Sequence, residues 1–150
     1  MTQPRVVVLH GPNLGMLGNR EPHIYGTLTL KEIDARMKSW GEARGFAVST
    51  FQSNHEGALL DRLHEETGRA AFCVINAGGL THTSVALRDG IVASGLPTIE
   101  VHLSNIHARE EFRHHSMIAP VCQGTISGFG VESHMLALEA GARLFGTGSR

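Results

Sequence analysis

Lysine is nearly missing from this chain: Lys31 and Lys38 are the only two in 150 residues. Both fall on an expected first helix, away from the polar loops, which argues against a Schiff-base mechanism. Cysteine is as scarce. Cys73 and Cys122 sit in apolar or near-strand contexts, form no metal or redox motif, and read as buried free thiols. No apolar run approaches the roughly 20 residues that span a bilayer, and the first residues lack a signal peptide's charged-then-apolar pattern. The expectation is a cytoplasmic protein. Neither charge dominates: 13 Lys and Arg against 14 Asp and Glu give a net charge of −1. That leaves no basic footprint for nucleic acid and no polybasic patch for a membrane. Gly11-Pro-Asn-Leu-Gly15 is not G-x-G-x-x-G, and no Walker A pattern occurs, so dinucleotides and ATP are poorly supported.

Present instead are 41% hydrophobic and 18% charged residues, an ordinary globule's balance, with 18 glycines and 10 histidines. The length suits one domain over residues 1–150. Arg5-Val-Val-Val-Leu-His10 predicts a strand buried on both faces. Thr29 and Glu32 form a T-x-x-E capping box ahead of Leu30, Ile33, Met37 and Trp40 at helical spacing, with Gly45 past the end. A second strand is expected over residues 46–51 and a second helix over 56–66, stopped at Gly68. Residues 71–75 form a third strand. A helix over 84–94 follows, with Val85, Ile91 and Val92 inward and Gly95-Leu-Pro97 as terminator. The fourth strand spans 98–103, a short helical piece 109–115, and the fifth strand 125–127. The last helix, 131–144, puts Val131, Met135, Leu138 and Ala142 on one face, and 146–150 is a frayed tail. Strands alternating with helices argue for an α/β, flavodoxin-like, doubly wound five-stranded parallel sheet with helices on both faces.

Ligand crevices of such sheets lie beyond the carboxyl ends of the strands, and the polar oddities of this chain map there. After strand one comes a glycine-studded loop with Asn13, Arg20 and the sole tyrosine, Tyr25. A phenol ordinarily ionises near pH ~10, and a guanidinium beside it favours the charged form, a proton-abstracting base. After strand three comes Asn76-Ala-Gly-Gly-Leu-Thr-His82; taken alone, the quartet also fits a plain βα turn. At strand four Glu100 and His102 are two apart, on one strand face. A carboxylate there fixes the imidazole's tautomer and favours its protonated form. Arg109 and Arg113, four apart, are expected on one helical face, with surface pairing to Glu110 or Glu111 as the alternative. His64 and His134 are expected on solvated helix faces. A phenol base, an imidazole acid, paired amides and arginines are the parts of a carbon–oxygen lyase. A receiver module would need an acidic pair after strand one and an Asp after strand three, where His10 and Asn76 stand. A flavin module would need a Ser/Thr-rich phosphate loop, which Gly11 to Gly18 lacks. A histidine-ligated metal hydrolase would use His102, His107, His114 or His115.

Together these residues resemble type II 3-dehydroquinate dehydratase over essentially the whole chain. The resemblance rests on Leu9-His-Gly-Pro-Asn-Leu14, Leu17-Gly-Asn-Arg-Glu-Pro22, Tyr25-Gly26, Gln52-Ser-Asn54, Asn76-x-Gly78, Thr81-His-Thr-Ser84, Glu100-Val-His-Leu-Ser-Asn105 and Glu111-Phe-Arg-His-His-Ser116. It implies reversible anti dehydration of 3-dehydroquinate to 3-dehydroshikimate through an enolate, with no metal and no organic cofactor. The step serves aromatic biosynthesis (the shikimate pathway) or quinate breakdown. A homododecamer built from trimers is implied as well. By matching position, Tyr25 is the base, Arg20 stabilises its phenolate on a mobile loop, and His102 is the acid with Glu100 orienting it. Asn76, His82 and Arg113 bind substrate hydroxyls, and the backbone at Leu103 and Ser104 holds the carboxylate. Asn13 positions a water against the enolate oxygen, Asp89 reaches the site of a neighbouring subunit, and Arg109 supports the lid or a subunit contact. Three departures stand out: Gly15 where Asn is frequent, Ala77 where Pro is usual, and Gly79-Leu80 where Ala with an aromatic is usual.

Overall fold

The computed structural model describes residues 3–146. Five strands, β1 (Arg5–His10), β2 (Ala47–Gln52), β3 (Ala70–Asn76), β4 (Thr98–His102) and β5 (Gly124–Ser127), form one sheet in the order β2-β1-β3-β4-β5. All four pairings are parallel. The helices are α1 (Pro22–Tyr25), α2 (Leu30–Arg44), α3 (Glu56–Glu66), α4 (Val85–Ser94) and α5 (Val131–Phe145), with short 3-10 turns between. Residues 147–150 of the expected frayed tail lie outside the described residues.

Alternation along the strands sorts the core into two layers. Val6, Val8, Phe72 and Val74 bury on the side of α2 and α5. Val7, Leu9, Cys73 and Ile75 bury on the side of α3 and α4. Full burial on both faces explains the unbroken Val-Val-Val-Leu run of β1, a sequence that alternation alone would not produce. Gly141 of α5 packs directly on the Phe72 ring of β3, which only a residue without a side chain can do. A Cβ there would sit 2.1 Å from Phe72 Cε2. Thr29 and Glu32 make the expected capping box at α2, and Gly45 closes that helix in the left-handed conformation. The chain leaves β1 toward β2 and later returns to β1's other edge with β3. The resulting switch point opens a crevice at the carboxyl ends of β1, β3 and β4.

Several expectations need correction. Val85 and Val92 are exposed; α4 buries Leu87, Gly90, Ile91 and Ser94, a 3.6-residue stripe that Val92, one residue past Ile91, cannot share. Residues 109–115 are not one helix. Arg109 is extended, with φ −109° and ψ −166°, and separates two 3-10 turns, Ile106–Ala108 and Glu111–Arg113. Segments this short do not repay helix nucleation, so the two arginines share no helical face. His134 is buried, not solvated: with Leu138 and Gly141 it follows the inward stripe of α5. Cys73 is buried, but Cys122 only half so. Tyr25 closes the short helix α1, with Pro22 at its start and Gly26 at its end.

Candidate active site

Backbone turns set the floor. Gly11 N–H donates to the Asn76 carbonyl at 2.7 Å, tying the loop after β1 to the end of β3. Gly78 sits at φ +59°, where an added Cβ would come 2.9 Å from the Pro12 carbonyl, so only glycine lets these two loops touch. Its N–H donates to Asn76 Oδ1 at 3.1 Å, which orients the amide and leaves the Asn76 NH₂ for other partners. Asn13 takes a left-handed conformation, and its backbone N–H is held by Asn54 Oδ1 at 3.0 Å.

Over this floor stands the α1 segment. The Arg20 guanidinium carbon lies 4.6 Å from the centre of the Tyr25 ring, and that of Arg109 lies 5.1 Å from it. Two cations therefore accompany the phenol, where the sequence pointed to one. Arg109 also reaches Ser104 Oγ at 3.4 Å. Glu110 accepts from Arg113 Nε at 3.0 Å and lies 3.8 Å from Arg109 Nε, so one exposed carboxylate serves both arginines.

Two imidazoles line the same cavity as Tyr25. His102 Nε2 is 2.5 Å from Glu100 Oε2, both side chains buried. An ionised carboxylate only accepts, so Nε2 carries hydrogen and Nδ1 is left for the cavity that His102 lines. Glu100 Oε1 accepts from Ser116 Oγ at 2.8 Å. His82 stacks beside His102, centroids 6.4 Å apart and planes 20° apart. Its Nδ1–H donates to the His115 carbonyl at 2.8 Å, which makes Nε2 an acceptor. Burial is the main cause that pushes His82 below the ordinary imidazole value; the carbonyl opposes it, and His102 and Arg113 reinforce it. His82 thus stays neutral where a free imidazole would begin to charge.

One cavity collects Arg20, Tyr25, Asn76, His82, His102, Leu103, Ser104, Arg109 and Arg113, residues from the ends of β1, β3 and β4 and the connections that follow them. Glu100 lies behind His102, outside the wall. Asn13 is exposed and does not line the cavity, and Asp89 is exposed on α4. Ser116, to which the sequence assigned no role, is the one addition behind the wall. Its only signal was its place at the end of the Glu111-Phe-Arg-His-His-Ser116 run. Of the departures, Gly79 lines the cavity with open space at its Cβ, Ala77 is buried, and a Cβ at Gly15 would press on Gln52 at 3.3 Å. Among the described residues, no three His, Cys, Asp or Glu side chains converge as a metal ligand set, and none of the helices is long and apolar enough to cross a membrane.

Residues 4–142 match the family profile "Dehydroquinase class II". A 3-dehydroquinate dehydratase of Rhizobium johnstonii is 57% identical over 140 residues, covering 93% of this chain and 96% of that protein. One of Desulforudis audaxviator is 54% identical over 144 residues, 96% of each. Among solved structures, the type II dehydroquinase of Butyrivibrio crossotus superposes with a TM-score of 0.91 at 38% identity, over 93% of this chain and 97% of that one. That of Propionibacterium acnes gives 0.91 at 41%, over 95% and 98%.

Proposed function

The chain belongs to the class II dehydroquinase family, and we propose that it removes water from 3-dehydroquinate to give 3-dehydroshikimate, with Tyr25 as base and His102 as acid. The observation that carries this reading is the convergence of a doubly cation-flanked phenol and a carboxylate-held imidazole on one cavity. Tyr25 as phenolate takes a proton from the carbon beside the ketone, and the electron pair moves onto the ketone oxygen as an enolate. Arg20 and Arg109 offset the negative charge that the phenolate carries before it is spent. The enolate then collapses, the carbon–oxygen bond breaks, and the hydroxyl leaves as water with a proton from His102 Nδ1. Anti elimination requires base and acid to act on opposite faces of the substrate ring, Tyr25 on one and His102 on the other. Glu100 holds the hydrogen on Nε2, so the donated proton comes from the nitrogen that faces the cavity. Neutral His82 accepts from a substrate hydroxyl through Nε2, while Asn76 and Arg113 offer N–H donors. The backbone at Leu103 and Ser104 takes the carboxylate, and Asn13 acts through a water. General acid–base steps of this kind contribute about 10²–10⁴-fold each.

The cavity is small as it stands. Its free volume is about 40 Å³, on a measure by which one water needs roughly 10–15 Å³. A larger hollow of about 440 Å³ adjoins it and shares Tyr25, Leu103, Ser104 and Arg109, so entry of a six-membered carbocycle is expected to displace the segment with Arg20 and Tyr25. On that reading the segment is a lid that closes over bound substrate and excludes water. Asp89, exposed on α4 away from this cavity, would serve a neighbouring copy in a dodecamer of trimers.

The direct test adds 3-dehydroquinate in the presence of a chelator and follows conjugated-enone absorbance, the step that aromatic biosynthesis and quinate breakdown share. Tyr25→Phe is expected to abolish turnover while ligand binding survives. Near-normal enone formation by that variant would show that the base is another group.

A further inference from the structure

We propose that Ser116 is a positioning residue for the His102 acid, holding Glu100 so that one carboxylate oxygen stays turned to the imidazole. The inference rests on the lyase reading only for its kinetic consequence; its geometry stands in the free protein. Ser116 Oγ accepts from the Ala119 backbone N–H at 3.0 Å and sits 2.8 Å from Glu100 Oε1. A hydroxyl has one proton, and with a lone pair taken by Ala119 that proton points at the carboxylate. Glu100 is 1% exposed, so in the intact protein Ser116 rather than bulk water partners this oxygen.

Orientation is what the carboxylate otherwise lacks. Rotation about the last bond of a glutamate side chain is broad and roughly two-fold. His102 alone, at 2.5 Å from Oε2, fixes one oxygen; Ser116 fixes the other, and with it the carboxylate plane. The serine is itself anchored. Met117 N–H donates to the Thr81 carbonyl at 2.7 Å, and Arg88 Nη1 donates to the Met117 carbonyl at 3.2 Å. The neighbouring His115 carbonyl takes the Nδ1 proton of His82. A single stretch of chain thus sets the tautomers of both cavity imidazoles, one directly and one through Glu100.

Three measurements on the full-length protein test the assignment. Ser116→Ala removes the proton directed at Glu100, and kcat is expected to fall by at least about 10-fold, toward the roughly 10² that a small misplacement costs. KM changes little, because Ser116 does not line the cavity. Ser116→Thr keeps the hydroxyl and restores most of kcat. The pH profile of kcat differs from the wild type's in Ser116→Ala and returns in Ser116→Thr, since the carboxylate behind the imidazole has lost and then regained its second hydrogen bond. In ¹⁵N-histidine-labelled free protein, the far-downfield proton resonance of His102 Nε2–H is present in the wild type, shifted upfield or lost in Ser116→Ala, and regained in Ser116→Thr. Thermal unfolding confirms that the variants fold. Wild-type kcat, pH profile and resonance in folded Ser116→Ala overturn the proposal, as does a Thr variant no better than Ala. The resonance needs no substrate, so it reports on Ser116 even if wild-type protein produces no enone, the outcome that would instead overturn the lyase reading.

Discussion

His134 shows how one residue can be misread and still be informative. Helix position alone suggested solvent, yet the ring is 1% exposed, 5.5 Å from His10, and neither of its nitrogens has a hydrogen-bond partner. Burial first, then the neighbouring His10 and His102, push it down from 6.5 to about 3. The folded protein keeps His134 neutral, whereas the unfolded chain takes up a proton as pH falls below about 6.5. Stability is therefore fully present above that pH and is lost as pH falls from about 6.5 toward about 3, by up to about 1.4 kcal/mol per pH unit from this group. His134→Phe removes the unpartnered nitrogens and the proton uptake. Its melting temperature is expected to drop less than the wild type's between pH 7.5 and pH 5, in matched thermal scans. The site residues were easier to read because each is a reactive type at the carboxyl end of a strand or in the loop that follows one. Tyr25, Asn76, His82, Glu100 and His102 were legible from that placement. The second guanidinium over Tyr25 was not, because Arg109 reaches the ring from a loop about 80 residues away whose path no local pattern encodes.

At the scale of elements, local chemistry fixed what it could reach. Helix α2 begins and ends on residues that act alone, a Thr–Glu box and a left-handed glycine, so its bounds were visible. The two 3-10 turns around Arg109 were not, since their geometry depends on Asn105 Oδ1 accepting from His107 N–H and on contacts across the site. The inward face of α4 failed for a related reason: three apolar residues fit two overlapping stripes, and only packing against α3 through Gly90 chooses between them. Close helix–sheet approach is equally invisible until seen. Gly141→Ala forces a methyl against Phe72, and the expected cost is about 1–3 kcal/mol. A fall in melting temperature of roughly 2–4 °C per kcal/mol should show it in calorimetry.

For the whole molecule, exposed α4 makes a specific statement about assembly. Asp89 lies between Val85 and Val92, which are 54% and 62% exposed, a pattern suited to burial against another copy. If this face joins copies in the proposed dodecamer, Val92→Glu is expected to shift the light-scattering mass toward smaller species and to lower activity with it; an unchanged mass would place the contact elsewhere. The small cavity has a consequence of its own. If the Arg20–Tyr25 segment is the proposed lid, each turnover contains an outward and an inward swing through solvent, and such strokes are slowed by friction as bond-breaking is not. Sucrose or glycerol, by thickening the medium, should then reveal whether the clock of this protein is set by chemistry or by its door.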